Sequence, residues 1–354
     1  MKTIKIDGSF GEGGGQVLRT ALSLSCVTGY GLHLFNIRKG RKRPGLMPQH
    51  LTCINAASKI TDATVSDNEK GSSELTFVPG KIKSGSYFFD IKTAGSCSLV
   101  LQALIPPLVF GNRDSEIKIK GGTHVPFSPT YDYIAWVFLP MLQTLGIRVD
   151  PQIINYGYYP NGGGEVIFRI FPALKVNSMD LSKRRELVYL HGYSSVSRLP
   201  MSIAERQKDS LIKDLPAAAE IKTFEAPSPG TGTSVFLKAE YENSFAGFSS
   251  LGKIGKPAEK VGEEAARQFN DFNATSASID PYLADQIVIY LSLARDNSSF
   301  TTSRITKHLI TNLWVIENFL NITYRIEGDL NSEGRVFLSP LHKAELSGAQ
   351  HPIQ

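Results

Sequence analysis

Residues 307–320 read KHLITNLWVIENFL. Leu309, Leu313, Ile316 and Leu320 recur at helical spacing, which predicts an amphipathic helix with one apolar stripe. His308 falls in its first turn, and Thr306 is placed to cap it. A second stretch, QHLTCINAASKI at 49–60, carries His50 at the matching position, with Pro48 suited to a first helical turn. One histidine beside an apolar face is usually a boundary residue satisfied by its neighbours. Two at equivalent helix starts point to a repeated unit. A helix start also disfavours imidazolium, so His308 is expected to be neutral, as a nucleophile must be.

Working outward, three segments share an order of elements. The first runs TIKID (strand), GSFGEGGG (turn), QVLRTALSLS and QHLTCINAASKI (helices) and ATVS (strand). The second runs FDIKTAG, the helix SLVLQALIPPLVF, the strand EIKIKGG, the helix YDYIAWVFLPMLQTL and the strand IRVD. The third has SASID as its first strand, then the helices PYLADQIVIYLSLA and KHLITNLWVIENFL, then the strand ITYRIEG. This predicts an α+β chain of three βαβαβ-type units, each with two helices on one face of a small sheet. Residues 181–277 carry a pattern of their own, with strands ELVYLHGYSS, AEIKTFEA and SVFLKAEY and helices SIAERQKDSLIKDL and KPAEKVGEEAARQFNDF. We expect a repeat domain of 1–180 and 278–354, with 181–277 an inserted α+β domain that folds apart from the site.

With 354 residues, 42% hydrophobic and 20% charged, the chain has the composition of an ordinary globular protein. The net charge of +5 permits an anionic partner. Cys26, Cys53 and Cys97 are odd in number and lack CxxC spacing, so reduced thiols in a cytoplasmic protein are expected. MKTIKIDG alternates like a strand and lacks the apolar run of a signal peptide, and no stretch is long enough to span a membrane.

GEGGGQVLR (11–19) sets four glycines around Glu12 just before a helix. Glycine lets backbone approach a phosphate, and the helix start supplies free N–H donors. Gln16 and Arg19, one turn apart, both point back at that loop, and Glu12 is either a turn carboxylate or a metal ligand among phosphate oxygens. RKGRKR (38–43) packs five cations into six positions, a solvated loop or a phosphate contact. GFSSLGKI (247–254) imitates a P-loop, but Ile254 replaces its hydroxyl and no clear buried strand precedes it. KIDG (5–8) matches a short nucleotidyltransferase pattern, with Lys5 on the solvent face of a predicted strand. In YLADQ (282–286), Tyr282 suits stacking on a base and Asp285 and Gln286 suit a ribose or base edge, while Asp280 and Pro281 suit a helix start.

DGSFGEGGGQVLRTALSLS, IRKGRKRPGLMPQHL, AGSCSLVLQ, GGTHVPFSP, GYYPNGGGEV, DPYLADQ and TKHLITN together resemble the successive blocks of the RNA 3′-terminal phosphate cyclases, in order and over nearly the whole chain. One departure is Tyr156, where the family usually has a basic residue. The resemblance implies three repeats of two helices on a four-stranded sheet, with a thioredoxin-like insert. It implies an ATP-dependent conversion of an RNA 3′-phosphate end into a 2′,3′-cyclic phosphodiester, releasing AMP and pyrophosphate. By that resemblance His308 attacks the α-phosphate and carries AMP, which passes to the RNA 3′-phosphate. Gln102, Pro129, Tyr282, Leu283, Ala284, Asp285 and Gln286 then match the ATP-binding positions. Gln16, Arg19, Arg38, Arg41, Gln49 and His50 suit phosphate or RNA, and Glu12 suits a divalent metal, Mg²⁺ or Mn²⁺. A non-catalytic cyclase-like protein of ribosome assembly is the alternative, and retention of His308 argues against it. An enolpyruvyl-transferase-like enzyme would need neither that histidine nor an adenine platform.

Overall fold

The computed structural model describes residues 1–341; the part of the expected repeat domain at 342–354 lies outside the described residues. The first sheet holds β1 (Thr3–Asp7), β2 (Gly31–Phe35), β3 (Thr64–Ser66) and β4 (Leu75–Val78), with α1 (Gly15–Thr28) and α2 (Pro48–Thr61). Its strand order is β1-β2-β4-β3, with β1 and β2 parallel and the rest antiparallel. The second holds β5 (Ser86–Asp90), β6 (Ser115–Gly121), β7 (Val149–Asn155) and β8 (Gly164–Ile170) in the order β5-β6-β8-β7. Its helices are α3 (Cys97–Val109) and a continuous run of α4 (Tyr131–Tyr133), a π turn (Ile134–Phe138) and α5 (Leu139–Thr144). The π turn ends two residues before Pro140, which has no N–H to give to a regular helical register.

Next comes β9 (Asp180–Leu181), and then a run with a sheet of its own: β10 (Leu187–Ser197), α6 (Met201–Lys213), β11 (Glu220–Glu225), β12 (Gly232–Tyr241), β13 (Ser244–Leu251) and α7 (Ala258–Asn273). That sheet has the order β11-β10-β12-β13, with β10 and β11 parallel. The chain closes with α8 (Pro281–Leu291), β14 (Ser298–Thr302), α9 (Lys307–Phe319), β15 (Ile322–Glu327) and β16 (Gly334–Pro340). These last strands take β9 into their sheet, in the order β15-β16-β14-β9. Read from β9, its connection order matches the first two sheets. The chain is an α+β protein.

One sequence expectation changes, and the dismissal of a P-loop holds. SASID is not the first strand of the third sheet: only Ile279 bridges to Thr302, and β9 lies parallel to β14 from the far side of the 187–273 run. GFSSLGKI does not follow a strand; it begins inside β13, with Phe248 buried.

α9 buries Leu309, Leu313 and Ile316 of the stripe its periodicity predicts, together with Val315 and Phe319, while Leu320 follows the helix end and is half-buried. Leu313 is fully buried, so truncation to alanine costs about 2–5 kcal/mol. One apolar core runs through the three sheets and their helices, and a second joins α6 and α7 to the β10–β13 sheet. Cys26, Cys53 and Cys97 are free and buried; burial pushes the Cys26 thiol up to about 12 and the Cys53 thiol to about 11. Among the described residues no helix is long and apolar enough to cross a membrane.

Candidate active site

The glycine loop before α1 is fastened to the start of α9. Gly11 takes a φ of 63°, which glycine enters at no steric cost, and a Cβ there would run into the Thr311 hydroxyl. That hydroxyl accepts the Glu12 N–H at 3.0 Å and donates to the Lys307 carbonyl at 2.6 Å. Helices α1 and α9 therefore begin side by side. The N-cap of α1 is Gly14, with no capping side chain, so its first-turn N–H groups remain available to an anion. Thr306 caps α9: its Oγ1 accepts the Leu309 N–H at 2.9 Å and donates to Asp285 Oδ1 at 2.5 Å.

His308 stands exposed at the second residue of α9, and Gln16 of α1 grips it. The amide oxygen of Gln16 hydrogen-bonds Nδ1, and its Nε2 donates to the His308 carbonyl at 3.3 Å. Facing an acceptor, Nδ1 carries the proton, which leaves the Nε2 lone pair free. Desolvation by the surrounding walls, then the charges of Arg19 and Arg41, hold the imidazole below its usual pKa. It is neutral near neutral pH.

In front of it opens a cavity of about 500 Å³. Eight residues singled out in the sequence line it together: Gln16, Arg19, Gln102, Pro129, Tyr282, Asp285, Gln286 and His308. Tyr282 leaves 49% of its surface exposed and meets the Tyr133 ring edge-on at 6.4 Å. Gln102 Nε2 donates to Gln286 Oε1 at 2.6 Å, and Gln286 Nε2 to the Tyr282 carbonyl at 2.8 Å, so the two amides are held in one orientation. Asp280 caps α8 by accepting the N–H groups of Tyr282 and Leu283 at 2.9 and 3.0 Å. Burial pushes the Asp285 carboxyl up to about 8 and Asp280 up to about 6. The Asp285 carboxyl is turned toward Thr306. The Leu283 and Ala284 side chains are fully buried and do not line the cavity.

The remaining residues lie behind the glycine loop. Arg41 pairs with the Glu12 carboxylate and donates to the Glu12 carbonyl at 3.0 Å. Arg38 turns back on its own loop, donating to the carbonyls of Arg43 and Gly45 at 2.8 and 2.9 Å. Gln49 Oε1 accepts the Ser96 N–H at 3.1 Å, tying α2 to the start of α3. His50 Nδ1 accepts the Met47 N–H at 3.1 Å, while a Cβ on Gly15 would strike its Nε2. Burial, then Arg19 and Arg38, push His50 down to about 3. Arg19 is different: burial lowers its pKa, and no carboxylate is among the charges acting on it. A half-buried guanidinium that makes no ion pair among the described residues, on a cavity wall beside a neutral nucleophile, is suited to an anionic ligand.

Sequence reasoning missed several neighbours. Gly247 and Ser249 of β13 and Gln268 of α7 line the cavity, so the 187–273 run forms one wall of it. Gln268 sits on a charged amphipathic helix, and nothing local separates it from a solvated polar residue. Asn312 also lines the wall and lay inside the quoted TKHLITN block; its Nδ2 donates to the Asp285 carbonyl at 2.6 Å and its Oδ1 accepts from Thr20 at 2.7 Å. Phe127 was hidden in a proline-flanked loop: it is fully exposed at the cavity, with a φ of 63°. Tyr156 is buried and stacks on His124 at 4.7 Å, away from the cavity.

Fold and cavity together define an α+β protein with a neutral histidine set between an aromatic-walled pocket and a glycine loop flanked by Arg19 and Arg41. The family model described as RNA 3′-terminal phosphate cyclase matches residues 10–326. Relatives of that name include one from Saccharolobus solfataricus, 44% identical over 92% of this chain and 96% of its own. Another from Pyrococcus furiosus is 41% identical over 94% and 98%, and one from Nostoc punctiforme is 39% identical over 89% and 94%. The chain belongs to the RNA 3′-terminal phosphate cyclase family, which is a family of enzymes. Among solved structures, the EPSP synthase of Acinetobacter baumannii matches with a TM-score of 0.29 and 10% identity over 92% of this chain and 62% of its own, a likeness too weak to bear on the fold.

Proposed function

We propose that this enzyme converts an RNA 3′-phosphate into a 2′,3′-cyclic phosphodiester at the expense of ATP, through a histidyl-AMP at His308. The observation that carries the reading is the Gln16–His308 pair at the cavity mouth, a neutral imidazole with Nε2 free. Pro129 and Tyr282 suit an adenine between them, and Gln102 with Gln286 its polar edge. In the first step Nε2 forms a bond to the α-phosphorus and the bond to pyrophosphate breaks. An oxygen of the RNA 3′-phosphate then attacks the same phosphorus, which breaks the P–N bond and returns neutral histidine. Finally the 2′-oxygen attacks the RNA phosphorus, its proton is lost, and AMP leaves. Adenylation is needed because the oxygens of a phosphate monoester are poor leaving groups, and a covalent intermediate divides one hard step into easier ones. Arg19 and Arg41 supply charge neutralisation, the larger part of catalysis in phosphoryl transfer.

Among the described residues no three of His, Cys, Asp and Glu are grouped to hold a metal alone. Glu12 is one carboxylate beside the glycine loop, which fits a Mg²⁺ or Mn²⁺ arriving with the triphosphate, since such ions take one or two carboxylates plus substrate phosphates. When bound, that metal would neutralise phosphate oxygens.

The fold reading goes with this: three repeated units around the cavity, and a thioredoxin-like insert between β9 and α8. The shared strand order of the three sheets supports the first part. Incubation with α-labelled ATP tests the function. Label retained on protein and discharged by a 3′-phosphorylated RNA supports it; absence of both supports the non-catalytic reading.

A further inference from the structure

A second hollow shares no lining residue with the cavity. It is lined by Lys42, Arg43, Pro44, Met47, Lys70 and Gly71. Its three charged residues are all cations, brought from two loops nearly 30 residues apart in the chain. Glu69 and Glu74 flank Lys70 in sequence but do not line it. Among the described residues Lys42, Arg43 and Lys70 are absent from the ion pairs, whereas Arg41 is committed to Glu12. Cations gathered in a hollow without carboxylates repel one another, and a polyanion relieves that.

The two loops are clasped rather than loose. Ile37 N–H donates to the Ser73 carbonyl, Leu46 N–H to Ser72 and Gly71 N–H to Leu46, all at 2.8–2.9 Å. Gly45 closes the clasp with a φ of 75°, where a Cβ would strike the Gly71 carbonyl. The hollow also connects to the site by short links: Arg41, which pairs with Glu12, immediately precedes Lys42, and the Met47 N–H donates to His50. The clasped loops thus carry their cations next in the chain to the residues of the proposed site.

We infer that this hollow, built by Lys42, Arg43 and Lys70, binds the phosphodiester backbone of the RNA just upstream of the 3′-terminal phosphate. The inference rests on the proposed reaction for its ligand. The role belongs to single-stranded RNA because the hollow offers charge and the apolar Pro44 and Met47 but little hydrogen-bonding variety, so it tracks backbone rather than reading sequence. Anchoring the strand here holds its end at Arg41 for the attack.

The test is direct binding, independent of turnover. Fluorescence anisotropy would measure a 5′-labelled 12-nucleotide RNA with a 3′-phosphate against wild type, the triple variant Lys42→Ala, Arg43→Ala, Lys70→Ala, and a charge-matched control. The control is Lys81→Ala, Lys183→Ala, Lys213→Ala, all exposed elsewhere on the surface. The groove variant should bind on the order of tenfold more weakly, and its log Kd against log salt slope should drop by about 2, roughly 0.7 per lost phosphate contact. A 3′-phosphorylated dinucleotide, with a single internucleotide phosphodiester, should compete nearly equally well against a short probe in both proteins. Equal weakening by the control variant would make net charge the cause and overturn the groove; so would unchanged 12-mer binding, or an equal loss for the dinucleotide. Failure of the proposed reaction would show separately, as a wild-type protein that takes no label from ATP.

Discussion

One side-chain amide, that of Gln16, holds two atoms of His308: its oxygen meets Nδ1 and its nitrogen the backbone carbonyl at 3.3 Å. The contact joins α1 to α9 and fixes both the tautomer and the direction of the ring. Gln16→Glu should keep the orientation but place a negative charge against Nδ1–H. That stabilises imidazolium, so the His308 pKa rises and less of it is neutral at a given pH. The acid limb of the adenylation rate against pH should therefore move up by about one unit. A profile superimposable on wild type would remove Gln16 from the catalytic arrangement.

His50 should shape acid stability. Its pKa is pushed down to about 3 from 6.5, so the folded state keeps it neutral while the unfolded chain takes a proton. The stabilisation is complete above 6.5 and is lost as pH falls from there toward about 3, at roughly 1.4 kcal/mol per unit. His50→Gln keeps an acceptor for the Met47 N–H and cannot titrate. Urea midpoints at pH 7 and pH 5 should fall further for wild type than for this variant. Parallel losses would mean that His50 is solvated in the native state.

Glu12 and Arg41 neutralise each other, and a triphosphate with its metal would have to compete for both. Glu12→Ala should therefore raise the Mg²⁺ concentration giving half-maximal adenylation several-fold. Arg41→Ala frees the carboxylate, so it should lower that concentration while also lowering the rate, and Lys39→Ala, on an exposed residue of the same loop, should do little. A Mg²⁺ titration unchanged by Glu12→Ala would leave the carboxylate as a partner of Arg41 alone.

Much of the cavity was legible because its residues sit at helix starts, where a motif and its geometry are local. Gln16 and Arg19 follow the glycine loop within one turn, and Tyr282, Asp285 and Gln286 share the first turns of α8. The helical stripe of Leu309, Leu313 and Ile316 likewise needed only its own spacing. What failed was long range. The strand completing the third sheet, Asp180–Leu181, is two residues long and separated from β14 by the whole 187–273 run, so no local pattern marks it. Arg38 and Gln49 fit a phosphate motif by type; that their side chains also hold the backbone groups of Arg43, Gly45 and Ser96 is not legible from spacing.

The insert expected at 181–277 is read from the sequence as folding apart from the site, but Gln268, Ser249 and Gly247, all within it, stand on the cavity wall. Gln268 Nε2 donates to the Ser249 carbonyl at 2.9 Å, holding α7 against β13 at the cavity edge. Gln268→Ala should raise the ATP concentration for half-maximal adenylation about three- to tenfold, the worth of about one hydrogen bond, with the same melting temperature within a degree or two. A variant with unchanged ATP dependence would return this run to a purely separate role.

The last prediction concerns KHLITNLWVIENFL itself. With ATP and Mg²⁺ the protein should gain one AMP, about 329 Da, on His308. A phosphoramidate is labile in acid and stable in alkali, which separates it from an ester on Thr306 or Thr311. Both hydroxyls are in any case engaged, with Asp285 and with the Lys307 carbonyl. His308→Ala should lose the adduct and the cyclisation together while staying folded, because the residue is exposed at the first turn of α9 and its ring gives up only the hydrogen bond to Gln16. Lys5→Ala, an exposed residue on β1, should keep both. Adduct formation should fall as pH drops through a value below 6.5, since desolvation and the two arginines hold the imidazole pKa down. An adduct that survives His308→Ala would falsify the assignment, and His308 would then be a polar residue at the first turn of a helix whose apolar face alone matters.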